Sequence, residues 1–329
     1  MKLTQAVVFV ACLLVVGTLF LGTNGGAQET VLSFGHYGAP TDTATKAAEH
    51  FAELVEERTN GQLTITLHPG NELGNSPTQL QGVRIGTIDL VMVGNPYLTA
   101  FAPELNVLDL PFLFTSCEHA YNVLDGAAGR RLLDTLEKYQ LKGLAFWEIG
   151  FRNISNSSRP IHSPEDLKGL KIRTTPNPAH VLAFKLLGAN PTPMPFAELY
   201  MALQTKTVDG QENPVHHIYA SRLHEVQNYL SLTNHAYTVA PLVMNLAKFQ
   251  SLTAENQKIL VEAALESAKY ERELNSSLNG ESLAKMKAEG IEVVEEPDIE
   301  AFRSLVIEPV WKAYVEEYGS DILDEINKD

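Results

Sequence analysis

Arg173 ends the stretch Leu170–Arg173, which reads as a short strand: Leu170 and Ile172 can face a core while the arginine falls at the strand's carboxyl end. In open α/β sheets ligands bind outside that end. A guanidinium there presents a planar fork that matches a carboxylate through two parallel hydrogen bonds. Between Arg152 and Arg173 the chain carries Arg152, Arg159, Lys168, Lys171 and Arg173 against only Glu165 and Asp166, within a formal net charge of -15. A field of that sign repels nucleic acid and anionic membrane surfaces. It also repels a small anion, so an anion site in this chain has to be local and well built. The competing reading is an ordinary arginine ion pair, common on surfaces and worth little. The residue pattern alone leaves both open.

Other chemistry is sparse. The chain has no phosphate-cradling glycine loop, dinucleotide fingerprint or nucleophile-elbow serine. Cys117, in Ser116-Cys117-Glu118-His119, reads as a partly buried small residue at a helix start rather than a catalytic thiol. His217 and His224 could share a helix face with His216 beside them, but no carboxylate or cysteine completes a metal spacing. The expectation is therefore no metal, no cofactor and no catalytic residue.

The elements that would position Arg173 alternate. Val31–Gly35 reads as a strand, about 43–59 as a helix with Ala47, Phe51, Leu54 and Val55 on one face, and Leu63–Leu67 as a second strand. A helix over Pro77–Ile85 and a strand over Asp89–Val93 complete a β-α-β-α-β unit, which favours a mostly parallel sheet under helices. A long helix is expected around Glu118–Tyr139, then a strand over Gly143–Trp147 and a polar crossover over Phe151–Pro160. Ser163-Pro164-Glu165-Asp166 has the order of a helix start and opens a second α/β unit. Strand Leu170–Arg173 and helices over Pro178–Leu187 and Pro195–Gln204 follow, then strands over Tyr229–Leu232 and Ala240–Met244. From Thr253 to about Glu289 the composition predicts one unusually long helix. Strand Ile291–Val294 and helix Ile299–Tyr318 come last.

The N-terminus sets the expected compartment. Lys2, the apolar run Ala6–Leu21 and the small, polar stretch to Ala27 have the order of a secretory signal peptide, with Gly25 and Ala27 as the -3 and -1 residues of cleavage. Two alternatives stand beside it. One is a retained anchor, although the run falls short of the roughly 20 apolar residues that span a bilayer. The other is lipid attachment at Cys12, although most of the apolar run follows that residue. Cleavage removes one lysine and takes the net charge from -15 to -16. It also leaves Cys117 as the sole cysteine, so the fold has to rest on its core.

The middle of the chain carries ordered motifs: Gly150-Phe151-Arg152-Asn153, Arg159-Pro160-Ile161, Pro164 through Arg173, Gly188 through Met194, Glu198-Leu199-Tyr200, Ala202-Leu203-Gln204 and Val208 through Pro214. Upstream, Pro69 with Leu73-Gly74, Gly86-Thr87-Ile88-Asp89 and Asp109-Leu110-Pro111-Phe112 fit the same series. The pattern closely resembles the DctP-like solute receptors of tripartite ATP-independent periplasmic (TRAP) transporters, over essentially the whole mature chain. The resemblance implies an α/β, two-lobed periplasmic solute-binding protein fold with a hinge and a long C-terminal interdomain helix. Lobe I would span about 28–150 plus 239–278, and lobe II about 151–238 plus 279–329. It implies Arg173 as the grip on a ligand carboxylate, Arg152 and Asn213 as further contacts, and Phe196 as an aromatic packed on the ligand. The implied partners are a small organic carboxylate and the TRAP membrane permease, with no nucleic acid.

Further expected contacts come from strand ends facing the same cleft: His36 and Tyr37, Asn95 and Tyr97, Trp147 and Glu148, with His235 added from a family-like Thr-Asn-His stretch. A sugar acid such as a uronate suits His36, Asn95 and Glu148 and is favoured. A hydroxy- or oxo-monocarboxylate with an apolar or aromatic tail suits Tyr37, Tyr97, Trp147 and Phe196. The rivals are an exported enzyme acting on a small acid, which would need a general base beside Arg173, and a ligand-sensing partner of a membrane receptor.

Overall fold

The computed structural model describes residues 29–328, so the expected signal peptide over 1–27, with Cys12, lies outside the described residues. Among the described residues, eleven strands form two sheets. They are β1 (Thr30–His36), β2 (Leu63–His68), β3 (Leu90–Met92), β4 (Leu141–Phe151), β5 (Asn153–Asn156), β6 (Lys171–Thr174), β7 (Asn190–Pro193), β8 (Gly210–Asn213), β9 (Tyr229–Ser231), β10 (Tyr237–Asn245) and β11 (Glu292–Val294). The first sheet has the order β2-β1-β3-β10-β4 and the second β11-β9-β5-β8-β6-β7. Each is parallel but for one reversed strand, β10 in the first and β5 in the second. These two strands lie where the chain changes sheets: β4 runs into β5 through Arg152, and β9 leads back into β10.

The first lobe is built as its apolar alternation requires. Leu32 and Phe34 of β1 bury one face against Ala47, Phe51 and Val55 of the helix Thr43–Arg58. Asp42 caps that helix, accepting from Ala44 N at 3.0 Å. The 35-residue helix Ala254–Ala288 is the one expected from composition. Leu260, Ala263, Ala264 and Ala268 pack into the first-sheet core, whereas Met286 near its far end packs with Leu199, Leu203 and Ile218 beside the second sheet. One rigid element therefore spans both lobes. No helix among the described residues is long and apolar enough to cross a membrane.

Two expectations are corrected, and two further strands were not foreseen. The helix expected around 118–139 is two, Cys117–Asp125 and Ala127–Thr135, broken at Gly126. Gly126 is extended (φ -83°, ψ -167°), ends one helix and opens the next, and a Cβ there would lie 2.6 Å from the Asn122 carbonyl oxygen. The polar crossover after Phe151 contains β5, whose four residues are all buried. Its polar side chains are satisfied internally: Asn156 Oδ1 accepts from Ser158 N and Arg159 N, and Ser155 pairs with Gln211 and Gln227. Strands β7 and β8 carry sequences, Asn-Pro-Thr-Pro and Gly-Gln-Glu-Asn, that do not alternate. Two prolines fit β7 because it is the edge of its sheet.

Candidate ligand-binding site

Between the sheets lies a cavity of about 350 Å³, bordered by Tyr37, Ser76, Gly94, Pro96, Tyr97 and Ile149 from the first lobe, by Arg152, Arg173, Thr175, Phe196, Asn213 and His217 from the second, and by Thr238 on β10. A β-bulge shapes one wall. Thr238 pairs with Gly150 and Val239 with Glu148, so Ile149 is the extra residue of β4. Bulges re-aim side chains, and here the bulge brings Ile149 to the cavity. Gly150 takes φ 111°, a conformation that glycine adopts freely.

The two arginines have different surroundings. Arg152, 2% exposed, donates through Nη2 to Glu212 Oε1 and to Asn213 Oδ1 at 2.9 Å each, and through Nη1 to Thr238 Oγ1 at 3.3 Å. Its Nε donates to the second Glu212 oxygen. Burial pushes the Glu212 carboxyl toward protonation, but the Arg152 charge and a hydrogen bond from His235 outweigh it and hold the group well below the usual carboxylate range. Arg152 is therefore neutralised from behind. Arg173, 1% exposed, donates among the described residues only to neutral oxygens: Nε and Nη2 to the Met194 carbonyl at 3.2 and 2.8 Å, and Nη2 to the Tyr97 hydroxyl at 3.1 Å. An ion taken out of water without a partner costs several kcal/mol, so this end of the cavity is set up for an anion. Phe196 lies beside it, with Arg173 Cζ 6.0 Å from its ring centroid. The Phe196 backbone N–H donates to the Tyr97 hydroxyl at 2.9 Å, across the lobes.

Six of the eleven residues singled out from the sequence thus border one cavity: Arg173, Arg152, Asn213, Phe196, Tyr37 and Tyr97. The other five lie elsewhere. Trp147 sits in the first-sheet core, donating to the Ala264 carbonyl at 3.0 Å and packing on Phe34 and Phe51. His36 is fully buried near Phe34, and burial lowers its pKa to about 4. Asn95 donates to the Leu105 carbonyl at 3.0 Å and to Asp109 at 2.9 Å. Glu148 accepts from Tyr237 at 2.9 Å and from Asn275 at 3.1 Å and faces a separate outer groove. His235 stands behind Glu212, 3.3 Å from it. Of the strand-end candidates, Tyr37 and Tyr97 reach the cavity, whereas His36 at the end of β1, Asn95 at the start of the short helix Asn95–Leu98, and Trp147 and Glu148 of β4 do not.

Residues that sequence reasoning passed over include Ile149, Thr175, Thr238 and His217. Thr175 lies two residues beyond Arg173, a strand spacing that could have found it, whereas His217 sits on the helix that follows β8, and no single period relates it to Asn213. The three histidines weighed for a metal are separately engaged: His217 with Asp42, His216 with Ser282 and His224 with Glu289.

Two α/β lobes closed over a small, arginine-bearing cavity define a ligand-capturing protein. Residues 34–317 match the profile of the DctP family, bacterial extracellular solute-binding protein family 7, and the chain belongs to that family. It is 41% identical over 318 residues to the 2,3-diketo-L-gulonate-binding periplasmic protein YiaO of Escherichia coli, covering 96% of this chain and 97% of that one. Its fold matches a TRAP periplasmic solute-binding protein of Polaromonas bound to D-erythronate, with TM-score 0.88, 37% identity and coverage of 91% and 98%. It also matches the sugar acid binding protein DctPAm of Advenella mimigardefordensis in complex with galactonate, with TM-score 0.87, 36% identity and coverage of 92% and 99%. The chain is accordingly a transport solute-binding protein and not an enzyme.

Proposed function

We propose that this protein captures a small organic carboxylate in the periplasm, where a cleaved signal peptide delivers it, and hands the ligand to the membrane permease of a TRAP transporter. One observation carries this reading: Arg173 is a buried cation whose hydrogen bonds all go to neutral oxygens at the edge of an interlobe cavity. A ligand carboxylate would supply the missing charge in a water-poor site, where such hydrogen bonds are strong. Arg152, already paired with Glu212, offers its Nη1 side as the second contact, and Asn213, at the cavity's border, fixes Arg152. Lobe I would comprise about 28–150 plus 239–278 and lobe II about 151–238 plus 279–329. Closure on the connecting strands would bury the ligand and create the surface read by the permease.

A sugar acid is favoured, because relatives of similar sequence and fold carry diketogulonate, erythronate and galactonate in their names. Thermal-shift screening of the purified protein against aldonates, uronates, dicarboxylates and hydroxy acids tests the reading. A ligand present at about 100 times its Kd adds about 2.7 kcal/mol of stability. No response to any acid, at any concentration, would remove the carboxylate from the proposal.

A further inference from the structure

The His217 ring is held on several sides. It is 6% exposed, borders the cavity, and belongs to the helix Val215–Ala220 directly after β8. Its Nδ1 lies 2.9 Å from Asp42 Oδ2, from the opposite lobe. Phe196 stacks on it at 4.6 Å and 29°, and Tyr37 meets it edge-on at 5.4 Å and 89°. Asp42 is itself fixed, 3% exposed and committed through its other oxygen to the helix cap at Ala44. Burial opposes ionisation of Asp42, but the hydrogen bond and charge of His217 outweigh it and keep the carboxyl below its usual range.

With Nδ1 committed to Asp42 and the ring packed by two aromatics, Nε2 is the polar atom that His217 has for the cavity. Three other polar lining groups are engaged. Thr175 pairs with His180 at 2.7 Å, Thr238 accepts from Arg152, and Asn213 is bound at both ends of its amide by Arg152 and Gln211. Phe196 contacts both Arg173 and His217, so the two groups flank one aromatic ring at the border of the same cavity.

We propose that His217 is the specificity-determining residue of this cavity: with a carboxylate held at Arg173, His217 Nε2 hydrogen-bonds an oxygen on the ligand's carbon chain, selecting hydroxy and oxo acids over plain alkyl carboxylates of equal length. The proposal rests on the carboxylate reading of Arg173. An alkyl chain would strip water from Nε2 and return nothing, and a site built to hydrogen-bond its ligand rejects the analogue lacking that group for this reason.

The test is calorimetric titration of the purified protein with two matched pairs, D-erythronate with butanoate and galactonate with hexanoate, for wild type, His217→Leu and His217→Gln. Wild type is expected to prefer a hydroxylated acid over its alkyl partner by at least about tenfold. His217→Leu should collapse that ratio by weakening the hydroxylated acid, and His217→Gln, which keeps a polar end and the packing volume, should retain part of it. Equal weakening of both members of a pair, an unchanged ratio in both variants, or a wild type without preference overturns the role of His217 while leaving the carboxylate reading intact. Should His217→Leu not fold, the ratio in His217→Gln decides. Wild type that binds none of the four acids overturns the carboxylate reading itself, a result distinct from the other three.

Discussion

Tyr97 and Arg173 meet across the interlobe cavity, the guanidinium donating to the phenol oxygen at 3.1 Å while that oxygen also accepts from Phe196 N at 2.9 Å. One first-lobe hydroxyl thus satisfies two second-lobe donors, and both contacts exist only when the lobes are together. Tyr97→Phe removes them while keeping the ring. The neutral hydrogen bond from Phe196 N is worth about 1 kcal/mol and the one from the charged Arg173 about 1.5–3 kcal/mol, so affinity for the acid should fall by about a hundredfold or more. The loss should show in the dissociation rate by stopped-flow fluorescence, because the closed state is what loses contacts. An unchanged dissociation rate would mean that Tyr97 takes no part in closure.

Arg173→Ala separates the anchor from the fold. Its partners are a carbonyl and a phenol, both neutral, so deletion strands no buried charge. Affinity should fall by at least about a hundredfold, in line with truncation of one partner of a buried charge pair, while the unliganded melting temperature stays near wild type. Arg173→Lys keeps the charge and loses the planar fork, so its affinity should fall between the two. Near-normal binding by the alanine variant would remove Arg173 from the site.

Glu212→Gln should behave in the opposite way. Glu212 is fully buried and holds Arg152 by two oxygens, so neutralising it leaves a buried cation short of its counterion. Breaking such a pair costs about 3–5 kcal/mol, measurable by urea denaturation without ligand. The folded-state pKa of Glu212 is depressed. Its stabilisation is therefore present above the ordinary glutamate pKa and lost as pH falls through the depressed value. The gap between wild type and variant should narrow toward acid; a gap independent of pH would show that the pair contributes through shape alone.

How much of this was legible in the sequence depended on the kind of signal. Amphipathic helices and apolar strands declared themselves: the helix Ile299–Tyr318 has the bounds expected, and Ala254–Ala288 follows from a proline-free, alanine- and glutamate-rich stretch. β5 and β8 did not, because their buried faces are polar and satisfied by one another, with Asn153 opposite Asn213 and Ser155 opposite Gln211. The site was half legible. Arg173 could be placed at a strand end, but that Arg152 is neutralised by Glu212 and Arg173 by nothing of its kind is a three-dimensional fact. The same is true of the bulge that turns Ile149 to the cavity and of Asp42 reaching His217 from the other lobe.

A last prediction concerns Glu271, on the long helix and fully buried, with Oε2 accepting from Glu148 N at 2.8 Å and Oε1 without a partner among the described residues. Burial, with the nearby charges of Glu148 and Asp42, pushes its pKa well above the ordinary glutamate value, against the backbone hydrogen bond and Arg272. The folded protein therefore holds a proton here that the unfolded chain releases as pH rises past the ordinary range, so this residue makes stability decline between that range and its raised pKa. Glu271→Gln mimics the protonated side chain at every pH and still offers an oxygen to Glu148 N. The variant should match wild type near pH 4 and exceed it progressively toward alkaline pH, by about 1.4 kcal/mol for each pH unit of the window crossed. Urea midpoints measured at one-unit intervals from pH 4 to pH 9 decide it: parallel curves for the two proteins would mean that Glu271 is ionised in the folded state and that the long helix carries a buried negative charge against the back of β4.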